Sequence, residues 1–272
     1  MIERITKMSL NEYFHRYVFE PLGLKNISLF PNPQMKAKLA FMSQKSPDGT
    51  FTGQEPLLRL PLISDSDKNF VNSGGAGCFS SPQNYCRKCP RRPSEFISSN
   101  MLEILATPLN NGISPPTGTQ ILDRQTVDQM FANQIPHLPS FGRTPILDSK
   151  PLLTNAVSEL YPQDGDPEQG WGLTFMLTIS PTATGRNSGA VHWSGISNCY
   201  WWCDRERGVA GIVCSQILPY GGMFEAMASI EVDIYTDVVI DPDMVGLWVE
   251  VETLVNEGLE ASKEHSKISS HI

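Results

Sequence analysis

The sequence predicts a mixed α/β protein of the α+β kind, with helices early in the chain, an antiparallel sheet in the C-terminal half and a last helix covering that sheet. Three stretches predict it. "SLNEYFHRYVFEPLGL" opens with Ser9 as a helix N-cap and Glu12 three places on, a capping box. "AVHWSGISNCYWWCDRERGVAGIVCSQIL" sets runs of aromatic and β-branched residues between turn signals, the pattern of an antiparallel meander. "DPDMVGLWVEVETLVNEGLEA" carries apolar residues at helical spacing behind Asp241 as its cap.

In the first helix Leu10, Tyr13, Phe14, Tyr17 and Val18 fall on one face, and Pro21 and Gly23 stop it. From Phe30 to Val71 the chain reads as loops without a sustained period, with "SPDGTFTG" as a turn. Gly74, Gly75 and Gly77 are not followed by a lysine, so a sharp turn or a close backbone approach explains them better than a phosphate loop. "SSPQNY" then starts a helix, with a serine cap and proline at the first position. "RQTVDQMFANQI" predicts another helix, with Val127, Met130, Phe131 and Ile135 on one face, and "GWGLTFMLTI" reads as one strand.

Within the meander, Cys199, Trp201 and Cys203 share one face of a strand and Tyr200 and Trp202 share the other. Both faces are apolar, which predicts a central strand covered on both sides. "FEAMASIEVDIY" fits helix or strand equally, and "SKEHSKISSHI" reads as a polar, frayed tail. The domain expectation is therefore one partial domain over residues 1–258 and a tail over 259–272.

Composition narrows the function classes. A net charge of -8 argues against nucleic acid as a partner, because phosphate backbones reward basic patches. No apolar run approaches the roughly 20 residues that span a bilayer. "MIERITKMSLNEYF" has neither the apolar core nor the cleavage site of a signal peptide, so a cytoplasmic, reducing setting is the expectation. Of the 6 cysteines, Cys86 and Cys89 form a lone C-x-x-C without a second pair or a histidine pair, so no metal is expected. Cys199, Cys203 and Cys214 are expected to be buried as small apolar residues of strands.

Four stretches resemble, in order, a known family. "SLNEYFHRYVFEPLGL", "SGGAGCFSSPQNYC", "GWGL" and "HWSGISNCYWWCDRERGVAGIVCSQILP" are similar to segments of the β-lactamase-related, penicillin-binding-protein-like serine hydrolases. Their fungal transesterase and esterase branch is the most similar. The resemblance covers most of Met1 to Pro219. It implies an acyl-serine mechanism built on three motifs, in which S-x-x-K carries the nucleophile and its base partner and Y-x-N shuttles protons. The third motif, K-T-G or a variant such as W-x-G, lies on a strand that positions the acyl group beside an oxyanion-hole N–H. By that resemblance Trp193, Ser194 and Gly195 form the third motif and the backbone of Ile196 supplies the oxyanion donor. The implied substrate is a small acyl ester or thioester, with no cofactor.

The other two motifs are absent from the 272 residues: no serine has lysine three places on, and no tyrosine has asparagine two places on. The implied fold is an incomplete serine-β-lactamase-like one. It keeps the C-terminal antiparallel sheet, its covering helices and part of the helical subdomain. A missing helix implies an exposed apolar groove and self-association. Without a nucleophile no covalent intermediate forms, so the chain is expected to be inactive by the family route, with no catalytic residue of its own. Two rivals stand beside this reading. One is a non-catalytic binding or interaction module using a tryptophan-lined cleft. The other is a different enzyme using His192 as base and Ser194 as nucleophile, which Ser194→Ala would abolish.

The pattern breaks in two places. Arg87–Leu102 places Arg87, Lys88, Pro90, Arg91, Arg92 and Pro93 where a helix should run on into "ILATPLNNG". Met223–Ile240 separates "QILPYG" from the last helix in the same way. Both read as intron-derived insertions, since codons for Cys-Arg-Lys-Cys can spell the donor-like GTAAGT and those for Gly-Met-Phe can spell GTATGT. Such segments are expected to pack poorly or lie on the surface.

Overall fold

A computed structural model describes residues 1–64, 70–80, 102–142, 150, 152–155, 165–221 and 242–269. Of the two suspected insertions only Leu102 is among them, so those expectations, like the helix at "SSPQNY" and the choice over "FEAMASIEVDIY", lie outside the described residues. The chain divides into two units, residues 1–42 with 54–128 and residues 43–53 with 129–272.

The first unit is mainly helical. Helix α1 (Ile2–Thr6) ends at Lys7, whose φ is +60°. Helix α2 (Leu10–Phe14) begins with the expected capping box, Ser9 Oγ accepting from Glu12 N and the Glu12 carboxylate from Ser9 N. The chain continues as a π-helical turn over His15–Phe19 and stops where expected, with Gly23 at φ +72°. Phe19, Leu22, Leu24 and Ile27 close over Phe14, Val18, Ile104 and Ile121 to form this unit's core. Strand β1 (Ile27–Ser28) pairs antiparallel with β4 (Phe79–Ser80). Helix α3 (Pro33–Lys36) is capped by Asn32, and α4 (Arg59–Ile63) follows. Gly77, at φ +87°, lies where a Cβ would press on the Leu58 side chain, the close approach the sequence implied. Helix α5 (Leu102–Leu109) precedes α6 (Arg124–Met130), where Asp123 caps through Thr126 N and Val127 is wholly buried.

That second helix is shorter than its apolar spacing predicts. Its face was to run to Ile135, but the carbonyl of Met130 accepts from Leu173 N rather than continuing the helix.

The second unit is built on a sheet ordered β5-β6-β7-β8-β9. Its strands are β5 (Gln169–Trp171), β6 (Met176–Thr178), β7 (Val191–Gly195), β8 (Cys199–Asp204) and β9 (Val209–Val213), each antiparallel to the next. "GWGLTFMLTI" is thus a hairpin and not one strand. Gly172 makes the turn, its N–H donating to Phe175 O, and a side chain there would run into the Met130 carbonyl. The meander is as expected, with Gly208 at φ +67° in the β8–β9 turn. Strand β8 is an inner strand, paired with β7 and β9, but its two faces are not covered equally. Its Tyr200 and Trp202 are fully buried while Trp201 is only half-buried.

A smaller sheet joins β10 (Ile217–Leu218), β2 (Met42–Lys45) and β3 (Phe51–Gln54). The β2–β3 turn is "SPDG", where Asp48 accepts from Thr50 N and Oγ1. Strands β2 and β3 fall inside the stretch read as loops. Every residue of β3 is exposed, so burial imposed no alternation on it.

Helix α7 (Pro242–Ser269) covers one face of the large sheet and continues to Ser269, so the expected frayed tail is helical through that residue. Val245 and Trp248 pack on Tyr200 and Trp202. Further along that face Glu252 is buried, and receives Arg186 Nε at 2.7 Å and Nη2 at 2.8 Å, with Thr184 Oγ1 at 3.0 Å. No described helix is long and apolar enough to cross a membrane.

Candidate functional site

The four residues singled out by sequence lie consecutively at one end of β7 and the turn after it. Burial falls along the strand: Val191 and His192 are buried, Trp193 and Ser194 half-buried, and Gly195 exposed. Ile196 follows at 44% exposure. Among the described residues, no atom beyond Gly195 and its chain neighbours lies within 4 Å of where a Cβ on it would stand, which leaves the backbone there open to an approaching group.

Strand alternation separates the side chains. Trp193 meets Trp171 edge to face, with ring centroids 4.7 Å apart, and Phe141 meets Trp171 in the same way at 5.9 Å. This aromatic group is a half-buried apolar wall beside the strand end, of the kind that holds an acyl chain through contact area. Ser194 turns the other way and lies hydroxyl to hydroxyl with Tyr220, 2.6 Å apart. Tyr220 was not singled out by sequence, and no spacing in "LPYGG" announces it.

Asn198 holds the turn that connects β7 to β8. It is buried, with φ +53°, a conformation asparagine tolerates better than most residues. Its Nδ2 donates to Ile217 O at 2.9 Å and Pro219 O at 2.8 Å. Its Oδ1 accepts from Tyr200 Oη at 2.6 Å and from Gly221 N at 3.0 Å. One side chain thereby fixes the site turn to the segment that carries Tyr220.

His192 does not serve Ser194. It is completely buried, stacked at 6.4 Å on Trp248, and neither ring nitrogen has a hydrogen-bond partner among the described residues. Burial, and then the Arg186 charge, hold its pKa well below the usual histidine value, so the ring is neutral. A base needs hydrogen-bond reach to its nucleophile, and here the Ser194 hydroxyl is taken by Tyr220.

The cysteines divide by environment. Cys203 is buried as expected, and burial pushes its thiol up. Cys214 is exposed, contrary to the expectation, because β9 ends one residue before it. Cys199 is half-buried with its pKa lowered to about 6, chiefly by a hydrogen bond with Cys214, against the upward pull of burial.

A family model described as Beta-lactamase matches residues 1–234. A lovastatin esterase of Penicillium rubens is 22% identical over 243 residues, covering 86% of this chain and 53% of the relative. Among solved structures, the LovD6 mutant of simvastatin synthase (LovD) from Aspergillus terreus superposes with a TM-score of 0.67 at 20% identity, covering 96% of this chain and 52% of that one. The LovD9 mutant of the same synthase gives 0.59 at 19% identity, with the same coverage. The chain therefore spans about half the length of the relatives it matches, and it shares their mixed α/β fold with its antiparallel sheet.

Proposed function

Because the chain belongs to the beta-lactamase family, we propose that the end of β7 is the acyl-positioning strand of a serine hydrolase or acyltransferase reaction on a small ester or thioester. One observation carries this reading: the W-S-G run ends a strand whose last residue is exposed and open, beside the Trp171–Trp193 wall. In this reading the Ile196 N–H stabilises the oxyanion, where a donor aimed at developing charge contributes most. Gly195 lets the ester approach the backbone, and Trp193 with Trp171 holds the acyl chain. Ser194 and Tyr220 form a hydroxyl pair that orients the strand end and does not attack.

These 272 residues contain neither S-x-x-K nor Y-x-N, so the same reading has the chain alone unable to form an acyl-serine. The names of its relatives, an esterase and a synthase, support acyl-ester chemistry as the reaction class. The test is to mix purified chain with p-nitrophenyl acetate and, separately, with a fluorophosphonate probe. The expected result is no serine-dependent burst and no fluorophosphonate-labelled residue. A burst together with stoichiometric labelling of one serine would overturn it.

A second reading, a non-catalytic binding module, is favoured by the same aromatic wall. It predicts saturable quenching of tryptophan fluorescence by a non-hydrolysable acyl amide, lost in Trp193→Ala.

A further inference from the structure

The pairing of β8 with β9 ends with Tyr200 opposite Val213, and that register carried one residue further sets Cys199 against Cys214. Directly opposed residues of an antiparallel pair have Cα atoms about 4.5–5.5 Å apart, within the roughly 4.4–6.8 Å that a disulfide spans. Neither cysteine is in a disulfide, and the Cys199 sulfur accepts a hydrogen bond from the Cys214 thiol. Cys199 Sγ also lies 3.2 Å from Ser197 Oγ and 3.6 Å from Ser215 O.

We propose that Cys199 and Cys214 form a thiol–disulfide exchange site, converted to a cross-strand disulfide by a low-molecular-weight disulfide such as glutathione disulfide. Cys199 is the attacking sulfur, since its lowered pKa of about 6 leaves it mainly thiolate at neutral pH. It attacks one sulfur of glutathione disulfide, forming a mixed disulfide and expelling one glutathione thiolate. Cys214 then loses its proton to solvent and attacks Cys199 Sγ, expelling the second glutathione. Two protein thiols become one disulfide, and one glutathione disulfide becomes two glutathiones. Exposure of Cys214 and the partial exposure of Cys199 give the reagent access.

Cys203 is the contrast on the same strand. It pairs with Ala210, is buried, and has its thiol pushed up by that burial, so it should not exchange. The modification also bears on the site, since Cys199 is the β-partner of Gly195. A disulfide there would brace the backbone under the W-S-G end, whether or not the chain takes part in acyl transfer.

The test exposes the whole chain to glutathione disulfide at neutral pH, alkylates the remaining thiols and maps tryptic peptides by mass spectrometry. The expected product joins the peptide Asn187–Arg205 to Gly208–Lys263, lighter than the reduced pair by two hydrogens. Cys203→Ser should leave that cross-link, Cys214→Ser should trap glutathione on Cys199, and Cys199→Ser should abolish both. Iodoacetamide labelling of Cys199 in Cys214→Ala, which removes the donor, should lose the acid-shifted midpoint that in the parent chain is expected near pH 6. Peptides that stay fully alkylatable, or a cross-link through Cys203, would overturn the proposal.

Discussion

The two faces of the large sheet are built from alternate residues of the same strands, yet they solve opposite problems. On one face Tyr200, Trp202 and His192 lie under Val245 and Trp248 of α7 and exclude water completely. On the other, Trp201 and Trp193 remain half-buried and meet other rings at their edges, Phe175 at 6.0 Å and Trp171 at 4.7 Å. The closed face accepts a buried ion pair and indole N–H groups without partners among the described residues, which costs stability, and it holds the sheet to its helix. The open face leaves apolar rings within reach of a ligand. Neighbouring tryptophans therefore take different work, although the open face closes again at Val191 and Cys203, which are buried.

The largest effects should come from the closed face. Arg186→Met leaves the Glu252 carboxylate buried without its bidentate partner and should cost about 3–5 kcal/mol in urea unfolding. The double variant with Glu252→Leu should recover most of that loss, and failure to recover it would mean the pair does more than neutralise charge. Next comes the sharpest comparison, between adjacent residues. Trp202→Ala should cost about 3–5 kcal/mol, since the site is closed, and Trp201→Ala about 1–2 kcal/mol. Equal losses would break the distinction between the faces. Gly211→Ala belongs to the closed face as well, because its new Cβ would strike the ring of Trp202, and it should cost about 1–3 kcal/mol.

A pH series sharpens the same point. His192 has its folded pKa lowered by burial, so the unfolded chain binds the proton more readily. Its contribution is complete above the unfolded value of about 6.5 and is lost progressively as pH falls below it. His192→Phe should flatten that part of the stability–pH curve measured by thermal unfolding, and an unchanged slope would exclude His192 as its cause. The smallest stability effect should be Tyr220→Phe, which removes one hydroxyl from the half-buried Ser194 pair and should cost about 1 kcal/mol.

The sequence made the meander and the first helix legible for local reasons. Ser9 and Glu12 satisfy each other within one turn, and alternating aromatic residues between turns need no distant partner to be read. The split of "GWGLTFMLTI" was hidden because Gly172 sits at a crossing with Met130, which no pattern in the stretch reveals. Helix α6 was overextended for the same reason, its last carbonyl being claimed by Leu173. Nothing local marks Glu252 as half of a buried ion pair, because its partner Arg186 lies far back in the chain. At the site, the consecutive residues Trp193 to Ile196 were legible as a motif, whereas Tyr220 and Asn198 reach it only through folding.

Asn198 also sets how little the site turn can vary. Its amide gives two N–H bonds and takes two others at a backbone conformation that few side chains accept. Aspartate has the length but no donors, glutamine has the donors but one methylene too many, and glycine has only the backbone freedom. A saturation library at this codon should therefore collapse to a single tolerated letter, while the exposed Ile196 codon two positions earlier should accept most of the alphabet. Hydrolysis of that amide to a carboxylate would do chemically what the library does genetically, turning two donated bonds into two repulsions and loosening the segment that carries Tyr220 from the turn.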